Sequence, residues 1–264
     1  MKLLIVCVNY NSYNTLNKYL LSLEKSCSVA KNCFLDVIVA DNSTHKEHVY
    51  LMGYSHISIR IEEFDNLGYL GAAQAVVNKL SNIKTYDYVA ITNVDILMEE
   101  QFLSNLSRLQ LPSNVAWIAP SIYSLALKLD RNPSVTRRYT KTKLRLLKLT
   151  YNKYILGLYE KLYYKRKIKP IGKSPEMNIY AGHGSFILLT KEFFTHYETI
   201  NYPMFLYGEE LYFAELIYKA KLKVRYIPSL IIRDFEHVST STLHKDKYYK
   251  YNKEAIGFIL KEFY

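Results

Sequence analysis

Asn93-Val94-Asp95 sets an amide and a carboxylate two residues apart, directly after the apolar run Tyr88-Val89-Ala90-Ile91. Side chains two apart in an extended turn point to one side, so their oxygens can share one hard divalent cation, Mg²⁺ or Mn²⁺. Such a cation keeps open positions for phosphate oxygens and can neutralise a departing diphosphate. Alone the triplet is a weak signal, because Asx residues also close strands simply by satisfying backbone groups. Glu209-Glu210 places two adjacent carboxylates at the predicted start of a helix, where the helix dipole favours acids whatever their use. His237 is open to two readings: part of a metal shell or diphosphate contact, or a loop histidine.

These residues must be positioned by something, and the apolar runs between them say what. Leu3 to Val8 is a continuous run of β-formers followed by Asn9-Tyr10-Asn11-Ser12, then by Leu16, Tyr19, Leu20 and Leu23 at helical spacing. Val37-Ile38-Val39-Ala40 ends in Asp41-Asn42-Ser43-Thr44, and Ile57 to Ile61 leads to Asp65-Asn66-Leu67-Gly68 and a small-residue helix. Four short strands alternating with helices predict an α/β fold with a mixed, mostly parallel central sheet covered on both faces. In such sheets ligands bind at the carboxyl ends of the strands, where Asn9, Asp41, Asn66 and Asp95 all fall. Val115 to Ala119, Ser185 to Thr190 and Val224 to Ile227 are further strands. Glu209 to Lys219 and the Tyr- and Lys-rich C-terminal stretch are further helices.

The ordered set resembles glycosyltransferase family 2, in particular its rhamnosyltransferase-like branch that builds bacterial surface polysaccharides. The set comprises Val6-Cys7-Val8-Asn9-Tyr10-Asn11, Val37 to Ser43, Asn66-Leu67-Gly68 and Thr92-Asn93-Val94-Asp95. In the second half Gly182-His183-Gly184-Ser185-Phe186 resembles the family's Gly-rich acceptor-side turn. Phe205-Leu206-Tyr207-Gly208-Glu209-Glu210 resembles its aromatic and acidic motif, and His237-Val238-Ser239 its late histidine loop. The likeness covers about residues 1 to 127 and 176 to 243.

The resemblance implies a GT-A-type, Rossmann-like sandwich and inverting, metal-assisted transfer of a sugar from a dTDP- or UDP-sugar to a glycan or lipid-linked acceptor. It implies that Asp41 accepts a hydrogen bond from the pyrimidine ring, with Asn9, Tyr10 and Asn11 flanking the base. Asn66 and Gly68 approach the nucleotide; Asp95 holds the metal with Asn93, which stands where many relatives have aspartate, and with His237. Gly182, His183 and Gly184 shape the acceptor side. Inversion needs a carboxylate that takes the acceptor's proton, and by position Glu210 is that base, with Glu209 the other candidate.

The formal charge of +11 is not spread evenly. Residues 128–173 hold 15 Lys or Arg against Asp130 and Glu160, so the rest of the chain is slightly acidic. Leu144, Leu147, Tyr151, Tyr154, Ile155, Leu158 and Leu162 recur there at steps of mostly three or four, which predicts a basic amphipathic helical insertion over 128–175. It divides a nucleotide-sugar half, 1–97, from an acceptor half, 176–243, with a C-terminal helix over 244–264. The insertion is expected to dock on the anionic inner face of a membrane, the rival readings being a solvated cover or a contact between copies of the chain. Nucleic acid is not the expected partner, since the apolar stripe matches no recognisable binding motif.

A hydrophobic share of 49% with 22% charged residues fits a globular protein, and Leu3 to Val8 is too short for a membrane span or secretory leader. A cytoplasmic, peripheral membrane location is therefore expected. Cys7, Cys27 and Cys33 are odd in number and lack metal-ligand spacing. A nucleotidyltransferase would need a Gly-rich phosphate loop after the first strand, where Asn9-Tyr10-Asn11-Ser12 stands instead. A non-catalytic membrane adaptor with a degenerate site is the rival of another class; it predicts that Glu210 and Asp95 are dispensable.

Overall fold

The computed structural model describes residues 1–49, 51, 53–152, 155, 174–235 and 245–264. His237 and most of the second half of the basic segment lie outside the described residues.

The apolar run at the N-terminus becomes β1 (Lys2–Asn9), paired in parallel with β2 (Phe34–Asp41) on one side and β4 (Tyr88–Asn93) on the other. Its residues divide between two cores. Leu3, Ile5 and Cys7 pack toward α1 (Tyr13–Val29) and α3 (Phe102–Ser107), while Leu4, Val6 and Val8 pack toward α2 (Tyr69–Lys79). A strand covered on both faces has no solvated side, which is why the sequence is apolar without alternation. β3 (Ile57–Glu63) extends β2 in parallel, and there the sheltered Ile57, Ile59 and Ile61 alternate with exposed Ser58 and Arg60, as suits an edge strand.

Beyond β4 two strands, β9 (Phe186–Thr190) and β5 (Ile96–Met98), run against the others. β9 lies antiparallel between β4 and β6 (Val115–Ser124), followed by β10 (Lys223–Asp234) and β5, giving the order β3-β2-β1-β4-β9-β6-β10-β5. Six of these eight strands run the same way, so the sheet is mixed and mostly parallel, as expected. Two short strands, β7 (Leu129–Asp130) and β8 (Met177–Ile179), pair with β6 and β10. Helices α5 (Lys191–His196), α6 (Glu209–Lys219) and α7 (Lys245–Phe263) complete the layers, with α4 (Lys141–Thr150) packed against α7 through buried Leu144.

The basic segment differs from the sequence reading at its start. Residues 128–140 are not helical: after β7 the chain runs extended, and Val135 bridges Ala181. Buried Asp130 is the reason. Its carboxylate accepts from Ser121 Oγ (2.5 Å), the backbone N of Ile122 and Asn132 (3.0 Å each) and Tyr226 Oη (3.2 Å), bonds a solvated helix could not offer. Two cations of the segment also turn inward: Arg138 forms a bidentate pair with buried Glu215, and Arg131 pairs with Asp234.

Candidate active site

Parallel strands deliver their carboxyl ends to one edge of the sheet, and the antiparallel β9 delivers its amino end there, Phe186 lying beside Thr92. This brings the loop 182–185 to the edge where Asn9, Asp41, Asn66 and Asp95 emerge.

Asp41 is the hub of the first cluster. Its Oδ1 accepts from Asn9 Nδ2 (3.1 Å) and from the backbone N (3.1 Å) and Oγ (2.5 Å) of Ser43, while Oδ2 accepts from Tyr13 Oη (2.7 Å). Burial pulls this carboxyl upward in pKa, but the bonds from Ser43 and Tyr13, with Lys46 nearby, outweigh it and hold the group below its ordinary value. Asn9 is fully buried, giving Nδ2 to Asp41 and to Ser43 (3.1 Å) and taking the N–H of Ser12 (3.3 Å). Asn11, in the left-handed region at φ 50°, accepts from the backbone N of Thr44 and His45 and stitches the β1 loop to the β2 loop. Tyr10 leaves its ring at the surface, 36% exposed.

Asn42 was not singled out from the sequence, yet it clamps the third loop: Nδ2 donates to the carbonyl of Gly68 (2.8 Å) and Oδ1 accepts from Leu67 N (3.3 Å). Asn66 closes its own turn by accepting from Gly68 N (3.1 Å). Gly68 sits at φ 77°, and a Cβ there would lie 1.9 Å from the carbonyl oxygen of Phe205. The glycine thus lets the loop before α2 touch the loop before α6, which couples the two halves of the site. α2 holds that second loop in place, Gln74 and Asn78 exchanging hydrogen bonds with the backbone of Tyr202 and Ile200.

Asn93 donates its backbone N–H to the carbonyl of Ser185 (3.0 Å), and buried Asp95 accepts at its own carbonyl from Phe235 N (3.2 Å). Among the described residues no three His, Cys, Asp or Glu side chains are grouped to enclose a metal. That suits an ion shared with substrate phosphates, for which one or two protein oxygens suffice. Asp95 and Asn93, each with its backbone anchored, fit that donor set.

His183 is held from both ends. Its backbone N donates to Asn132 Oδ1 (3.0 Å), and its ring lies between Arg131 Nη1, 2.8 Å from Nε2, and Ser185 Oγ, 2.9 Å from Nδ1. Nδ1 faces the backbone N–H of Ser185 (3.2 Å) as well as its hydroxyl, and, since a guanidinium can only donate, Arg131 engages the Nε2 lone pair. With that lone pair engaged, His183 shapes the wall and is not disposed to ligate a metal. Arg131 in turn lies 3.0 Å from Asp234 Oδ2. Its place within the basic run concealed it in the sequence.

Glu209 and Glu210 open α6 after Tyr207 and Gly208, both left-handed. The two carboxylates converge on Gly184, whose absent Cβ would be 3.0 Å from Glu209 Oε1 and 3.4 Å from Glu210 Oε2. Burial first, and then the charge of Glu210, pushes Glu209 up to about 8; burial also raises Glu210. Among the described residues no cation offsets this, so the two carboxyls are raised together and disposed to share a proton. Tyr69 Oη donates to the Gly184 carbonyl (2.9 Å), and burial and then the charge of Glu209 hold its phenol well above the ordinary range. Tyr69 could be read as a helix-start aromatic only; its neighbourhood comes from the fold.

Of the expected residues, Asn9 to Asn11 with Asp41, Asn66 with Gly68, Asn93 with Asp95, and Gly182 to Gly184 with the glutamates all border this edge. His237 lies outside the described residues.

No protein-family model matches the chain, and no curated protein matches it in sequence. Solved structures do match in three dimensions. Two structures of S. aureus TarS 1-349, one in complex with UDP-GlcNAc, align with TM-scores of 0.58 and 0.59 at 9% and 10% identity, covering 89% and 100% of this chain and 60% and 71% of theirs. GalNAc-T7 with UDP, GalNAc and Mn²⁺ aligns at 0.55 and 12%, covering 90% of this chain and 44% of that one. The mannosyltransferase PcManGT of Pyrobaculum calidifontis with GDP-Man and Mn²⁺ aligns at 0.54 and 10%, with coverage of 90% and 57%. The chain therefore has the GT-A-type fold of these glycosyltransferases, over about half to two thirds of their length.

Proposed function

We propose that the chain is an inverting glycosyltransferase that moves a sugar from a nucleoside diphosphate to a hydroxyl of a surface-glycan acceptor. The carrying observation is the pair Glu209 and Glu210, half-buried together, with no cation of the described residues offsetting their charge, and pressed on Gly184 beside the strand ends that carry Asp41 and Asp95. Two half-buried carboxylates facing one residue near a cluster suited to a nucleotide are arranged for proton transfer and not for stability.

In this reading Glu209 retains the shared proton and Glu210 is ionised. Glu210 takes the proton of the acceptor hydroxyl as that oxygen bonds to the anomeric carbon, and the bond from that carbon to the phosphate oxygen breaks on the opposite face. Asp41, fixed by Ser43 and Tyr13, orients the base of the donor, with Tyr10 free to lie against it. Asp95 and Asn93 hold a divalent metal that offsets diphosphate charge when bound. The UDP-GlcNAc, GDP-Man and Mn²⁺ of the similar structures support a nucleotide-sugar donor and a divalent ion.

The acceptor is proposed to be lipid-linked at an anionic membrane surface. Leu146 and Leu149 of α4 are 59% and 64% exposed beside Lys141, Lys143, Arg145 and Lys148, an outer face suited to an interface. No described helix is long and apolar enough to cross a membrane.

The test is a thermal-shift panel of UDP, dTDP and GDP, free and as sugar conjugates, with and without Mn²⁺. A metal-dependent rise with one base, lost in Asp95→Ala, is expected. No rise with any member of the panel would remove the reading.

A further inference from the structure

The glutamate pair is flanked by rings from three separate elements. Tyr151 follows α4, Tyr207 precedes α6, and Tyr248 and Tyr249 lie in the first turn and a half of α7. Ring centroids run from Tyr151 to Tyr248 at 5.8 Å, from Tyr248 to Tyr207 at 5.3 Å and from Tyr248 to Tyr249 at 5.8 Å. All four are half-buried, so each ring keeps an open portion. The turn that orients Tyr207 is rigid: Gly208 sits at φ 80°, and a Cβ there would meet Tyr202 Oη at 2.6 Å and Ala255 Cβ at 2.9 Å. This same turn starts the helix of the two glutamates, so ring row and carboxylates are fixed to one another.

Beside the row opens a cavity of about 510 Å³, lined by Tyr151, Asn152, Asp246, Tyr249, Lys253 and Glu254 among others. That volume is in the range of ligand pockets, and a second cavity among the described residues, about 320 Å³, lies away from the glutamates at the opposite, amino-end edge of the sheet. Its lining carries two lysines against two acids, and Lys250 is 3.9 Å from Glu254, so it offers no net charge to a phosphate-bearing chain. Aromatic faces beside amide, carboxylate and ammonium groups match a molecule that is apolar on its ring faces and hydroxylated at its rim.

We infer that this cavity between α4 and α7 is an acceptor subsite for a neutral saccharide, which stacks on the tyrosines and delivers a hydroxyl toward Glu209 and Glu210. The inference rests on the proposed catalytic role of that pair. It goes beyond Gly182 to Gly184 by assigning a second, more distant part of the acceptor to this chain's own Tyr151 and Tyr249.

The full chain is tested on an array of neutral oligosaccharides with phosphorylated and sialylated counterparts, without donor. Binding to neutral members is expected, reduced at least tenfold in Tyr249→Ala and recovered in Tyr249→Phe; Asn152→Ala serves as a second probe if Tyr249→Ala does not fold. Preference for anionic members, binding indifferent to both substitutions, or no binding to any neutral member overturns the subsite. Release of nucleotide from sugar nucleotides by the unaltered chain reports separately on the catalytic reading: tyrosine-dependent saccharide binding without such release would keep the subsite and discard the transferase.

Discussion

Asp41 and the pair Glu209-Glu210 are all carboxylates in sheltered positions at one edge of the sheet, and their surroundings push them in opposite directions. Asp41 is met by donors from Asn9, Ser43 and Tyr13 and is held below its ordinary pKa. The glutamates meet each other and Gly184, and are raised. A buried acid surrounded by donors stabilises the fold through its charge, whereas two acids facing each other cost stability, which accords with the proposed role in proton transfer. The loops around Asp41 are thus a finished hydrogen-bonded unit, and the α6 start is an unbalanced one.

The sharpest way to break this contrast is Glu210→Gln. Transfer is expected to fall by about 10²–10⁴-fold, as for loss of a general base, with the metal-dependent nucleotide thermal shift retained and the midpoint unchanged or raised. Activity near that of the unaltered chain would return the pair to a structural role. Asp41→Asn is expected to do the reverse, lowering stability by about 2–3 kcal/mol, since an amide cannot accept all the bonds that now converge on the carboxylate. Denaturant titration measures it, and a neutral result would remove Asp41 as hub.

Gly68→Ala tests whether the two units act together. The steric conflict with Phe205 and the left-handed backbone predict a loss of about 2–4 kcal/mol, together with loss of nucleotide binding in whatever fraction folds. Nucleotide binding at full affinity in that variant would show the halves to be independent.

The smallest effect is in the pH dependence of the midpoint. Glu209 is raised above its unfolded value of 4.5, so the native state binds the extra proton and stability declines as pH rises from about 5 through about 8. Glu209→Gln should therefore exceed the unaltered chain by a few degrees at pH 8.5 and match it at pH 5, roughly the scale of ~1 kcal/mol in a chain this size. Asp41, lowered, contributes stability above its unfolded value that is lost only as pH falls through its folded one. Asp41→Asn should accordingly flatten the acid limb alone, as melting curves between pH 3 and 5 would show.

Much of this was legible beforehand, for identifiable reasons. Doubly covered strands write themselves as apolar runs, so β1, β2, β4 and β9 were visible, and with them the row of polar residues at their ends. Asn42, Tyr69 and Arg131 were not. Asn42 reads as one more polar residue after a strand, and only the approach of the Gly68 loop gives its amide two partners. Arg131 was absorbed into a basic run ahead of the helical periodicity that begins at Leu144; buried Asp130, with its extended neighbours, is what sets it at the site.

By itself the sequence determined the alternation of strands and helices, the edge at which polar side chains emerge and the two adjacent glutamates, because each is a local consequence of residue type and spacing. The opposite ionisation of Asp41 and Glu209, the joining of the halves through Gly68 and the tyrosine row beside α6 were decided by the tertiary structure alone. Each depends on atoms from segments distant along the chain, Gly68 with Phe205, Gly184 with Glu209, and Tyr151 with Tyr248. The electrostatic environment of a group is set by what surrounds it in space, which no local pattern specifies.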